Sequence, residues 1–232
     1  MQPANSSFVS NATAAAPAQP SLADILLNDL SFTATLQFKR GETIFLNNQQ
    51  ANNIFIIKEG RVKLSNHSDD GREIIKAILI SNEIFGESAI YNSQMRNETA
   101  QALEQTQLYV ISVQDIRDRI ASDASFANLL MNWLGSKIQK TQQRLEMLVF
   151  KNARNRVLQF IVDIAHDYGR AIGYEILISQ FYTHKEIAQL TDTSRQTVTT
   201  ILNEMRKSNL VYFNRHRLLI RNIQKLESMA LQ

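Results

Sequence analysis

The spacing of apolar positions changes along the chain, and each change marks a new kind of element. From about residue 34 to 113 the apolar residues fall in short runs, at 35–38, 42–45, 53–58, 61–65, 73–80, 83–85, 99–102 and 107–112. Several runs are rich in β-branched and aromatic residues and partly alternate, the pattern of strands with at least one buried face. Their spacing of about ten residues predicts a sandwich or barrel. The turns between them are chemically explicit: Arg40-Gly41, Glu59-Gly60 and Asp69-Asp70-Gly71. The last, set between two apolar runs, is a strong hairpin signal. A short helix is predicted upstream, over 22–30.

Past Val113 the period lengthens. Up to about Phe150 there is one glycine, Gly135, and no proline. Leu130, Leu134, Ile138, Thr141, Leu145 and Leu148 recur at spacings of 4, 4, 3, 4 and 3, the seam of a long helix close to a heptad repeat. Such a helix beside a small β domain calls for a partner surface, and a two-fold homodimer through the seam is the economical reading. The alternative is that the seam packs on the chain's own β domain. A second helix is predicted over 152–168, with Val157, Phe160, Ile161, Ile164 and Ala165 on one face and Gly169 as its stop.

Residues 183–208 read THKEIAQLTDTSRQTVTTILNEMRKS. Thr183 and Glu186 form a capping box that opens a short helix over 185–190. Thr191-Asp192-Thr193 makes a tight turn, with Asp192 able to adopt a left-handed conformation. Ser194 caps a longer helix over 195–207. Ile187, Leu190, Val198, Ile201, Leu202 and Met205 supply the buried faces, and Ala188 is small where the helices cross. Two helices joined by such a turn are the arrangement that places its second helix in the DNA major groove. Arg195, Gln196, Thr199 and Thr200 lie off the apolar face of that second helix. Arg reads guanine through two hydrogen bonds and Gln can read adenine. The hydroxyls of Ser194, Thr197 and Thr199 suit phosphates, and Lys185 adds a cation on the first helix. Apolar runs 210–213 and 218–221 then flank Asn214-Arg215-His216-Arg217, a hairpin wing whose tip carries Arg215 and Arg217 toward the DNA backbone.

Charge supports the same division. Residues 1–150 hold 13 Lys+Arg against 15 Asp+Glu, a balance of −2, and residues 151–232 hold 12 against 7, a balance of +5. A basic last third suits a polyanion. The absence of cysteine excludes disulfides, thiolate metal sites and iron–sulfur clusters. No run approaches the length of about 18 apolar residues that a spanning helix needs. Residues 1–20 contain all three prolines among Ala, Ser, Asn and Gln. They lack a secretory pattern and are expected to form a disordered arm, in a cytoplasmic protein.

From about residue 30 the chain resembles the CRP/FNR family of bacterial transcription regulators. The resemblance rests on Arg40-Gly41-Glu42-x-Ile44-Phe45, Ile54-Phe55-Ile56-Ile57-Lys58-Glu59-Gly60, Asp70-Gly71-Arg72-Glu73, Phe85-Gly86-Glu87 and Ser194-Arg195-Gln196-Thr197-Val198, in the family's order and spacing. It implies an α+β fold in four parts: the arm at 1–20, an antiparallel cyclic-nucleotide-binding-like β-roll (a jelly roll) at 21–125, a dimerisation helix at 126–151 and a winged helix-turn-helix at 152–232. It also implies two-fold symmetric promoter DNA, a second copy of the chain and RNA polymerase as partners.

The chain departs from the family where a cyclic nucleotide would bind. Members that bind cyclic AMP carry a Gly-Glu pair, matched by Gly86 and Glu87 with Ser88 after them, and an Arg-Ser/Thr-Ala triplet. That triplet here reads Glu98-Thr99-Ala100, which sets a carboxylate where the phosphate-binding Arg belongs. A carboxylate repels a phosphate that an Arg would grip, so cyclic AMP is disfavoured as an effector. Arg96, two residues upstream, could substitute after a loop shift. Thr141 roughly matches a position that touches adenine in such members, although a Thr on the seam can equally set dimer register. Haem is not expected, because His67 is the single histidine of the β domain and sits in a polar stretch. Asn48 and Asn82 stand where the family usually has Gly, and Asn tolerates positive φ best among the other residues. In the second helix, Arg195 matches the family's base-contacting Arg, Gln196 replaces a common Glu and Thr200 a common Arg. A nucleotide-binding adaptor whose winged helix contacts protein is the alternative reading. Glu42, Glu59 and Glu87 are conspicuous carboxylates, but no paired base, nucleophile or metal cluster accompanies them, and an enzyme is not expected.

Overall fold

A computed structural model describes residues 21–29, 34–68, 71, 73–91 and 94–231. The expected arm at 1–20, and Asp69, Asp70 and Arg72 of the predicted hairpin, lie outside these residues. The chain begins with α1 (Leu22–Asp29) and then β1 (Ala34–Phe38), β2 (Thr43–Phe45), β3 (Asn53–Glu59), β4 (Val62–His67), β5 (Glu73–Leu79), β6 (Ile84–Phe85), β7 (Thr99–Ala102) and β8 (Thr106–Ser112). These strands form two four-stranded antiparallel sheets, ordered β1-β8-β3-β6 and β2-β7-β4-β5. Phe45, Phe55, Ile57, Val62, Leu64, Phe85 and Leu108 fill the space between the sheets. The predicted sandwich is therefore present.

The continuous apolar run of β3 has a plain cause. Phe55 and Ile57 face the sandwich interior, whereas Ile54 and Ile56 point the other way, onto Leu22, Leu26, Ile116, Phe126 and Leu130 of the helices. Both faces of the strand are buried, so strict alternation is lost. Asn48 and Asn82 take φ of 63° and 69°, the left-handed turns that their residue type permits.

Two helices follow, α2 (Val113–Ser122) and α3 (Ala124–Phe150), the second close to the long helix expected at 126–151. Asp123, extended at φ −135° and ψ 100°, breaks the path, and its carboxylate accepts hydrogen bonds from the N–H groups of Ser125 and Phe126. Next come α4 (Ala153–Tyr168), β9 (Arg170–Ile172), β10 (Glu175–Ile178), α5 (His184–Leu190), α6 (Arg195–Lys207), β11 (Val211–Phe213), β12 (Leu218–Ile220) and α7 (Ile223–Ala230). The β9–β10 hairpin was not expected. It extends the wing to a four-stranded sheet ordered β11-β12-β10-β9. Gly169 ends α4 as expected, but through close approach: a Cβ there would lie 2.1 Å from the Ala165 carbonyl oxygen and 2.4 Å from Ile176 Cγ2.

The C-terminal core is built from α4, α5, α6, α7 and the wing, and it includes Ile75 and Ile78 of β5. The seam of α3 divides in two. Leu130 is 5% exposed within the chain's own core and Leu134 packs beside it. Further along, Ile138 and Leu145 are 60% and 58% exposed, with Phe150 at 81%. Among the described residues no helix is long and apolar enough to cross a membrane.

Candidate DNA interface and effector pocket

The two helices of the reading motif are fixed by capping. The Thr183 hydroxyl accepts from the Glu186 N–H at 3.2 Å, and the Glu186 carboxylate accepts from the Thr183 N–H at 2.7 Å. Helix α5 thus starts at His184, inside a full capping box. Asp192 makes the turn at φ 49°, and the Thr193 N–H donates to the Ala188 carbonyl at 2.9 Å. Ser194 then accepts from the Thr197 N–H at 3.0 Å and starts α6 at Arg195, the predicted position. Val198, Ile201, Leu202 and Met205 are buried on one face. Arg195, Gln196 and Thr200 are exposed on the other, with Thr197 and Thr199 half-buried. Lys185 and the wing-tip residues Arg215 and Arg217 are exposed as well, so basic groups from both helices and the wing reach solvent. The tip is shaped by Asn214, whose side-chain oxygen accepts from the N–H groups of His216 and Arg217 at 2.9 Å each.

The hydroxyls are less free than their composition suggests. Thr199 gives its single proton to the Arg195 carbonyl at 2.9 Å, and its oxygen meets His184 Nδ1 at 2.8 Å. With that proton committed, the ring must donate Nδ1–H. His184 also stands edge-on to Phe213 of the wing at 5.8 Å. Burial, with Arg195 nearby, holds its pKa below the ordinary histidine range. Ser194 and Thr197 share a 2.8 Å hydroxyl contact.

Two arginines that sequence reasoning did not single out hold this motif in place. Arg156 of α4 donates to the carbonyls of Thr191 and Asp192 at 2.8 and 2.7 Å, clamping the turn. Arg61 donates to the same Glu186 oxygen that closes the capping box, at 3.3 Å, and so ties the β-roll to α5. Partners so far apart in sequence leave no spacing signal.

Of the effector-pocket candidates, Gly86 touches Arg96 and the carboxylates of Glu87 and Glu98 act on its charge. Gly86 sits at φ 80°. A Cβ there would lie 2.6 Å from Arg96 Nη1. The Arg96 side chain is 4% exposed. It donates to the carbonyls of Gly86 at 3.0 Å and Asn53 at 2.6 Å, and its guanidinium lies 4.3 Å from the Phe45 ring centroid. Burial lowers its pKa, with Glu98 and Glu87 opposing that shift. Glu87 pairs with Lys137 of α3 at 2.5 Å, and Lys137 also donates to the Ile84 carbonyl. Glu98 pairs with Lys76 at 3.2 Å. The Thr99 hydroxyl accepts from the Asn47 N–H at 3.2 Å. Ser88 is buried. Thr141, one turn beyond Lys137, is exposed and donates back to the Lys137 carbonyl at 2.9 Å. Arg96 is thus already inside the β-roll, and its hydrogen bonds there go to the protein's own carbonyls.

Comparison with known proteins agrees with both halves. Residues 35–123 match the family model described as cyclic nucleotide-binding domain, and residues 155–229 match the Crp-like helix-turn-helix domain. The chain is 28% identical to the global nitrogen regulator of Synechococcus elongatus, over 80% of this chain and 85% of that one. It is 26% identical to the CRP-like cAMP-activated global transcriptional regulator of Mycobacterium tuberculosis, over 84% and 87%. Among solved structures, FixK2 from Bradyrhizobium japonicum shares the fold with a TM-score of 0.75 at 17% identity, covering 84% of this chain and 96% of that one. With its β-roll, its helix-turn-helix and these relatives, the chain belongs to the CRP/FNR family of transcription regulators.

Proposed function

We propose that this DNA-binding regulator works as a homodimer that reads a two-fold symmetric promoter site through α6, and that its β-roll has lost the usual cyclic AMP phosphate contact. The observation that carries the reading is the exposed Arg195 at the start of a capped helix, flanked by exposed Lys185, Arg215 and Arg217. Half-sites set about one helical turn apart, roughly 10 bp centre to centre, suit a two-fold dimer. The exposed apolar half of the α3 seam supports dimerisation. Against cyclic AMP stand Glu98 in the triplet and the internal hydrogen bonds of Arg96. The relatives' names point to different signals, cyclic AMP in one and nitrogen in another, so they do not argue for a cyclic nucleotide here. RNA polymerase at the promoter is the corresponding partner, in the cytoplasm.

The test is selection of random double-stranded DNA by purified full-length protein, first without effector and then with cyclic AMP. The expected result is a two-fold motif with a guanine in each half, the same in both arms. Enrichment confined to the cyclic AMP arm would overturn the effector reading. No enrichment, together with salt-independent DNA affinity, would overturn DNA reading in favour of a protein-contacting winged helix.

A further inference from the structure

Between the β-roll and the DNA-binding half lies a cavity of about 450 Å³. That volume is within the range of roughly 300–1,000 Å³ typical of small-molecule sites. Its apolar walls come from every part that would have to move in a switch: Ile78 on β5, Met147 on α3, Phe160 and Ile164 on α4, and Leu190 at the end of α5.

Charges of both signs border it, with Glu83, Asp163 and Asp167 as the carboxylates. Lys140 pairs with Asp167 at 3.0 Å, and Glu83 is a half-buried carboxylate whose pKa burial raises. Arg144 and Arg156 both interact with Asp192. Arg156 donates to its carbonyl, and Arg144 feels its charge. These two guanidiniums differ from the other cations of the cavity. Lys76 and Lys140 have carboxylate partners, at 3.2 and 3.0 Å. The hydrogen bonds of Arg144 go to the carbonyls of Lys76 and Ile75, at 2.6 and 3.2 Å. Those of Arg156 go to the carbonyls of Lys151, Thr191 and Asp192. Burial lowers the Arg144 pKa, and Asp192 offsets that only in part. A guanidinium carries five N–H donors, so both keep donors to spare. Two half-buried guanidiniums whose hydrogen bonds all go to carbonyls, with only the Asp192 charge acting on Arg144, stand beside an apolar chamber and make a receptor for a charge-assisted anion contact.

We propose that this interdomain cavity binds a small amphipathic organic anion, with its apolar or aromatic body against Phe160 and Ile164 and its carboxylate or sulfonate on Arg144 and Arg156. An occupant would touch β5, α3, α4 and the end of α5 at once. It would therefore set the angle of the reading helices relative to the long helix, by differential affinity for one arrangement.

The test uses full-length protein and two fluorescent probes: 8-anilinonaphthalene-1-sulfonate, and the uncharged N-phenyl-1-naphthylamine. Gln143 borders the cavity from an exposed position on α3, so Gln143→Trp obstructs the chamber without disturbing a core. The sulfonate probe should saturate one site and bind at least about tenfold more weakly to both Gln143→Trp and Arg144→Gln, a loss of about 1.4 kcal/mol. The uncharged probe should be weakened by Gln143→Trp alone. Sulfonate binding that ignores Gln143→Trp would overturn the site. Equal response of both probes to Arg144→Gln would overturn the anion assignment. A DNA titration with and without the sulfonate probe adds the functional readout, with a change in affinity expected and no change overturning the coupling. That arm rests on the DNA-reading proposal. The probe arms do not, so failure of one is separable from failure of the other.

Discussion

At the scale of single residues, the reading helix and the β-roll put two arginines to opposite uses. Arg195 is exposed at the first position of α6, where its fork is free to meet a base edge. An Arg195→Ala change is expected to cost about 1–3 kcal/mol at one guanine and to relax specificity there alone. Quantitative binding to a panel of single-base variants checks this, and uniform weakening would make Arg195 a phosphate contact. Arg96 is buried, and its donors face carbonyls and two Phe rings. In sequence the triplet Glu98-Thr99-Ala100 carries the proposed loss of a phosphate contact. What took its place was not legible, because it depends on which way a long side chain turns. A Glu98→Arg change alone should therefore leave cyclic AMP affinity low. Pairing it with Arg96→Ala, which clears the interior, should raise that affinity by at least tenfold, roughly 1.4 kcal/mol, in calorimetric titration. A gain from Glu98→Arg alone would show that Arg96 does not fill the site.

At the scale of elements, caps explain what could be read and what could not. Helix α6 was placed at its observed bounds because Ser194 marks its start and Arg206 and Lys207 close its last turn. Helix α5 gained one residue, His184, at its start. Helix α3, expected from 126, starts at Ala124 because Asp123 caps it with no Gly or Pro beside it. The β9–β10 hairpin escaped notice because strands of three and four residues carry too little alternation to register. The reading unit also carries a pH dependence that follows from packing. An unfolded histidine titrates near 6.5, and His184 in the fold titrates lower, through burial and the proximity of Arg195. Between those two values the unfolded chain holds a proton that the folded chain does not. Stability is therefore full above about pH 6.5 and falls as the pH drops through the window below it. Denaturation of wild type and His184→Gln at pH 7.5 and 5.5 checks this. The variant should lose less stability on acidification, and an equal loss would place the titration elsewhere.

At the scale of the whole molecule, the halves are joined by contacts that sequence reasoning had no means to see, and the molecule still leaves one large apolar face uncovered. Arg61 to Glu186, Arg144 to β5 and Arg156 to the Thr191 turn bind the β-roll, long helix and reading motif into one body. In the dimer proposed above, the α3 seam holds the second copy. Its first half is committed to the chain's own core at Leu130, and the part carrying Ile138, Leu145, Leu148 and Phe150 is left exposed. A Leu145→Glu change buries no charge in the monomer, since that position is already open to water, and so should leave the fold intact. In a dimer it sets two carboxylates against each other across the two-fold axis, which is costly in a desolvated seam. Sedimentation should then give a monomer with unchanged circular dichroism. Affinity for a two-fold site should fall by about 100- to 10,000-fold, the range lost when two linked binding events become one. A single half-site should be bound by the variant and the wild type alike. A Leu145→Glu protein that stays dimeric and holds the full site would show that the exposed half of the seam is not the dimer face.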